Sequence, residues 1–106
     1  MRWVRIFKSW EDTCKALPEN DPYQLKIGER KVTVVRRNNE LFAFAPLCPH
    51  QHEPLFKGDV SPEGEIVCPL HSYRFNLKTG RECQQRTEDL ETYPVRIDTE
   101  VFLGID

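Results

Sequence analysis

Neither sign of charge dominates this 106-residue sequence: 15 Lys and Arg stand against 17 Asp and Glu, a formal net charge of −2. The composition therefore gives no footprint for nucleic acid or an anionic membrane surface. No apolar run approaches the roughly 20 residues a bilayer-spanning helix needs. The opening Met1-Arg2-Trp3-Val4-Arg5-Ile6-Phe7-Lys8 breaks its apolar residues with charge, unlike a secretory leader. Repeats, low-complexity tracts and linker-like stretches are absent. So are a dinucleotide fingerprint and a mononuclear-iron triad, which argues against catalytic turnover by the chain alone. With 39% hydrophobic and 30% charged residues the chain is too apolar for disorder. Its length suits one domain, residues 1–106, around one core. The expectation is a cytoplasmic, monomeric, non-enzymatic domain with no membrane or nucleic-acid partner.

What is present is mostly period two. Residues 2 to 8 read as a strand. Ser9-Trp10-Glu11-Asp12 then resembles a capping box, opening a short helix that Pro18 ends. Trp10, Cys14 and Leu17 fall on one face of that helix, which makes Cys14 a small core residue. Tyr23 to Ile27, Lys31 to Arg36 and Leu41 to Ala45 read as strands joined by Gly28-Glu29-Arg30 and Arg37-Asn38-Asn39-Glu40. Near the C-terminus Tyr93, Val95 and Ile97 share one strand face. Val101, Leu103 and Ile105 share another, beyond a turn at Asp98-Thr99-Glu100. Trp3, Trp10, Phe42, Phe44 and Phe102 read as core aromatics. Short strands with closely spaced turns predict a small antiparallel barrel or sandwich.

Between the strand sets lies residues 46 to 80, rich in Pro, Gly and His, which needs a source of rigidity beyond its own core. Two phrases in it rhyme: Cys48-Pro49-His50, then, after 17 residues, Cys68-Pro69-Leu70-His71. Each loop offers one thiolate and one imidazole, both metal ligands when deprotonated. Pro49 and Pro69 fix φ and lower the entropy lost on coordination. A cytosolic setting argues against pairing the four cysteines, Cys14, Cys48, Cys68 and Cys83, as disulfides. Two chemistries fit a two-Cys, two-His set. A structural zinc would take all four ligands at one centre. A two-iron, two-sulfide cluster would take the cysteines on one iron and the histidines on the other.

The flanking residues carry a more specific signal. Cys48-Pro49-His50, Pro54-Leu55, Gly58-Asp59-Val60, Ile66-Val67-Cys68-Pro69-Leu70-His71, Phe75-Asn76-Leu77 and Thr79-Gly80 closely resemble the Rieske iron–sulfur family. Leu90-Glu91-Thr92-Tyr93-Pro94-Val95-Arg96-Ile97 is similar to the close of the small Rieske ferredoxins. The resemblance implies an all-β fold, an antiparallel barrel base with a rubredoxin-like cluster-binding subdomain at about 46–80 and one short N-terminal helix. It implies a [2Fe-2S] cluster with Cys48 and Cys68 on the buried iron and His50 and His71 on the outer one. It also implies a soluble one-electron carrier between a flavin-dependent NAD(P)H ferredoxin reductase and a terminal oxygenase or reductase component. The small subunit of assimilatory nitrite reductase is similar in sequence and stands as an alternative, as do a structural zinc interaction module and a redox-sensing switch.

Departures from the family pattern carry their own expectations. The extra cysteine of each loop in high-potential members is replaced by Glu53 and Leu70, so their disulfide is absent. Tyr73 stands where those members place a serine donor to sulfide, and Ser72 where glycine is usual. A missing donor lowers the potential, towards the family's lower end of around −150 mV. Cys83-Gln84-Gln85-Arg86 replaces a loop that often covers the cluster. His52 reads as a solvated loop histidine, Cys83 as a buried or unreactive thiol, and Pro54, Leu55 and Pro69 as an apolar collar around the imidazoles.

Overall fold

The computed structural model describes all residues, 1–106. It contains strands β1 (Arg2–Phe7), β2 (Tyr23–Ile27), β3 (Arg30–Arg37), β4 (Glu40–Phe44), β5 (Asp59–Val60), β6 (Glu65–Val67), β7 (Arg74–Asn76), β8 (Thr92–Tyr93), β9 (Val95–Ile97) and β10 (Val101–Ile105). One helix, α1 (Trp10–Ala16), follows β1, and a 3-10 turn spans Leu55–Lys57. No helix is long and apolar enough to cross a membrane.

Three antiparallel sheets form, in the orders β1-β10-β9, β2-β3-β4-β8 and β5-β6-β7. The first two make the base and enclose Leu17, Val32, Val34, Leu41, Ala43, Val101, Leu103 and Ile105. The third belongs to the upper lobe, whose core joins Val35 and Phe44 to Leu55, Ile66, Phe75, Leu77 and Leu90. Strand β3 explains how the halves are joined. Val32, Thr33, Val34 and Val35 are all fully buried, because successive residues face opposite sides and both sides are covered. Strand β4 does the same, sending Leu41 and Ala43 down and Phe42 and Phe44 up. The base thus carries the lobe on a shared sheet.

The helix begins as its sequence predicts: the Asp12 N–H donates to Ser9 Oγ at 3.1 Å. Its inward face differs. Thr13 is fully buried and Cys14 only half-buried, since the Thr13 hydroxyl donates to the Ser9 carbonyl at 3.0 Å and enters the interior satisfied. The expected strand from Tyr93 to Ile97 also divides. Tyr93 pairs with Ala43 in one sheet, whereas Val95 pairs with Leu103 in another. Pro94, with no N–H to extend the ladder, marks the change, and its carbonyl accepts from Gly104 N–H at 2.9 Å. Ile97 is accordingly exposed. Among the expected core aromatics, Phe44 is buried, Trp10, Phe42 and Phe102 are half-buried, and Trp3 is 41% exposed. The Arg96 guanidinium lies over both the Trp3 and Phe102 rings, covering that outer face.

Candidate metal centre

Two loops project from the upper lobe, and each closes by the same bond. The Cys48 N–H donates to the Glu53 carbonyl at 2.9 Å, and the Cys68 N–H to the Tyr73 carbonyl at 2.8 Å. The first loop is tied further by His52 N–H to the Cys48 carbonyl at 2.7 Å and by a bridge between Leu47 and Pro54. Such tight closures force positive φ at His52 (58°), and at His71 (67°) and Ser72 (57°) in the second loop. A non-glycine residue there costs roughly 1–2 kcal/mol, so the surrounding bonds must hold the conformation in place. Gly80 closes the lobe from below. Its φ is 77°, and a Cβ would strike the Leu90 carbonyl, so this turn requires glycine.

The loops bring the four ligand candidates together as two pairs. Cys48 and Cys68 are both fully buried within the upper core. Burial pushes the Cys68 thiol up to about 11, with the Leu70 backbone N–H opposing and the neighbouring Cys48 adding to the rise. A thiol so placed is protonated at neutral pH and gives up its proton only to a strong electrophile such as a metal. His50 and His71 sit at the lobe surface with ring centroids 5.7 Å apart and planes at 71°. His50 Nδ1 is buried and has no hydrogen-bond partner. An orphaned inward nitrogen is costly unless something occupies its lone pair or takes its proton, which suits a metal ligand. Two buried thiols and two imidazoles supply one pair of sulfur donors and one pair of nitrogen donors. The donor set therefore fits a two-iron, two-sulfide group.

The remaining candidates are placed differently from one another. His52 is exposed, as a solvated loop histidine would be. Leu55 is fully buried in the upper core, so it is no part of a collar; Pro54 is half-buried, and Pro69 and Leu70 are exposed. Cys83 is exposed rather than buried, and its thiol donates to Glu82 Oε2 at 3.4 Å. The inward position beside it belongs to Glu82, 1% exposed. That carboxylate accepts from the Arg86 N–H at 2.6 Å, from Arg86 Nη2 at 2.9 Å and from the Gln84 N–H at 3.2 Å. The Arg86 guanidinium holds the Glu82 carboxyl down at about 2 against its burial. Arg86 in turn lies 3.8 Å over the Tyr73 ring, which stacks on His50 at 4.0 Å and 13°. Sequence reasoning missed Glu82; the only local signal is its separation of four from Arg86.

Known proteins resemble this chain in sequence and fold. A family model described as the Rieske [2Fe-2S] domain matches residues 8–94. The anthranilate 1,2-dioxygenase ferredoxin subunit of Burkholderia cepacia is 38% identical over 80 residues, covering 74% of this chain and 73% of that protein. The ferredoxin component of the naphthalene 1,2-dioxygenase/salicylate 5-hydroxylase systems of a Ralstonia species is 34% identical over 94 residues, covering 86% and 89%. Among solved structures, the ferredoxin of carbazole 1,9a-dioxygenase from Nocardioides aromaticivorans IC177 superposes with a TM-score of 0.83 at 28% identity, over 100% of both chains. The family match settles the choice between zinc and iron–sulfur: this chain belongs to the Rieske [2Fe-2S] family, whose two-iron, two-sulfide cluster is its cofactor.

Proposed function

We propose that this protein is a Rieske-type ferredoxin, an electron carrier rather than an enzyme, whose cluster is held by Cys48 and Cys68 on the inner iron and by His50 and His71 on the outer one. The observation that carries this assignment is a pair of fully buried thiols and a pair of imidazoles 5.7 Å apart on the same two loops, with His50 Nδ1 buried and unpartnered. When bound, the cluster supplies reversible one-electron chemistry at a potential raised by its two neutral nitrogen ligands. The chain's own residues do the rest. Cys48 and Cys68 lie where water is excluded, among Leu55, Ile66 and Phe75. Pro49 and Pro69 stiffen the loops, and the two backbone closures fix the ligand spacing. His71 stands at the surface beside exposed Pro69 and Leu70.

The reductant is a flavin-dependent NAD(P)H reductase, and the acceptor is the terminal oxygenase of a ring-hydroxylating system. The names of the ferredoxin relatives, components of dioxygenase systems, support the oxygenase as acceptor. The chain acts as a monomer, meeting each partner with the apolar lobe tip, where Leu47 is 42% and Leu70 38% exposed. Anaerobic titration tests the assignment: the oxidised protein should accept one electron per chain from NADH through a reductase and return it to an oxygenase component. A protein that takes up no electron, or that binds neither component, contradicts it.

A further inference from the structure

We propose that Glu82, Arg86 and Tyr73 are positioning residues that form a cap over one face of His50, so that the two surface imidazoles are unequal. His50 is covered and held by the chain itself, and His71 is left as the imidazole that solvent or a partner reaches. The cap is built from below. Glu82 is buried and accepts both Nε and Nη2 of Arg86, at 3.2 and 2.9 Å, as well as the Arg86 backbone N–H at 2.6 Å. This fork-like grip fixes the plane of the guanidinium, and the turn that delivers it is closed by the Gln85 N–H on the Glu82 carbonyl at 2.9 Å. A guanidinium held in this way can lie over an aromatic ring, and it does so on Tyr73 with Cζ 3.8 Å from the ring centre.

Tyr73 is anchored independently, because its carbonyl receives the Cys68 N–H and its ring packs against the upper core. Its other face is nearly parallel to His50, 13° between planes. The layers therefore run from a buried carboxylate through guanidinium and phenol to imidazole. His71 has a different environment. It meets His50 edge-on, is exposed, and sits on a backbone in the left-handed region. The Cys83–Arg86 stretch thus backs the Tyr73 ring that covers one imidazole.

The inference rests on the ligand assignment above, and its test separates the two. The holoprotein is treated with diethyl pyrocarbonate, and acylation at His50, His71 and the exposed reference His52 is followed by peptide mass spectrometry. Iron and sulfide are assayed on the same samples. In the unaltered protein His71 should react several-fold faster than His50. Tyr73→Ala should raise the His50 rate towards that of His71, Tyr73→Phe, which keeps the ring, should retain protection, and Arg86→Ala, which only loosens the ring, should raise the rate by less. Equal rates at His50 and His71 in the unaltered protein overturn the cap, as does continued protection of His50 in Tyr73→Ala. Should Tyr73→Ala fail to fold, the ratio of the His71 and His50 rates in the unaltered protein still decides. Absence of iron and sulfide would overturn the ligand assignment instead, and labelling would still read the stack, which consists only of protein groups.

Discussion

Glu82 and Arg86 form an ion pair of unequal surroundings: Nη2 and Oε2 are 2.9 Å apart, the carboxylate side chain is 0% exposed and the guanidinium 38%. The pair sits beneath the Tyr73 ring and links the Cys83–Arg86 stretch to the lobe tip. Its stability has a pH signature. The folded carboxyl titrates at about 2, below the ordinary 4.5. Its contribution is therefore complete above pH 4.5 and is lost as pH falls from there towards 2. Thermal unfolding should show the protein losing stability in that window more steeply than Glu82→Gln does. Parallel curves for the two proteins would contradict the pairing.

Replacing either buried thiol should abolish the cluster. Cys48→Ser and Cys68→Ser remove a soft ligand from a site closed to water, and metal binding and loop folding are coupled. Both variants should purify without the visible absorption of the unaltered protein and unfold at lower temperature. A full-strength spectrum in either would show that the ligand set is wrong.

The reduction potential should fall near the low end of the family, around −150 mV. Tyr73 stands where a serine hydroxyl would approach sulfide, and its ring is committed to the stack between His50 and Arg86. Fewer donors to sulfide leave the reduced cluster less stabilised. A redox titration with a midpoint above roughly +100 mV would contradict this reasoning.

Phe75 should be the main packing determinant of the lobe. It is fully buried in the core that contains both thiols and lies opposite Ile66 across β6 and β7. Phe75→Ala should cost about 3–5 kcal/mol in the lobe. The expected outcome in denaturant is release of iron at lower concentration, whereas an unchanged iron-release midpoint would be inconsistent with a thiol pair held by this core.

Much of the fold was legible because its signals are local. Strands β2 to β4 follow a two-residue alternation with turn residues between them, and Asn38 adopts the positive φ (56°) that such a turn asks for. Ser9 caps α1 as its side chain predicts. The ligand candidates were legible because each loop carries a Cys and a His within three residues. The failures share a different cause. Pro94 moves the chain from one sheet to another, and Ala43, the partner that holds Tyr93 in the other sheet, lies far away in sequence. Cys14 and Thr13 exchanged places because a local hydroxyl bond made the polar residue the cheaper one to bury. Glu82 took the inside position and Cys83 the outside, an inversion of hydropathy made possible by the bonds that Gln84 and Arg86 donate to the carboxylate, which hydropathy alone does not signal. Leu55 turned inward because the upper core needed it beside Ile66 and Phe75.

The most direct test is the inorganic content of anaerobically purified protein, read together with electron paramagnetic resonance after dithionite reduction. Two irons and two acid-labile sulfides per chain, with a reduced-cluster signal that disappears in Cys68→Ser, is the expected result. Stoichiometric zinc, or iron without sulfide, would contradict the assignment of Cys48, His50, Cys68 and His71.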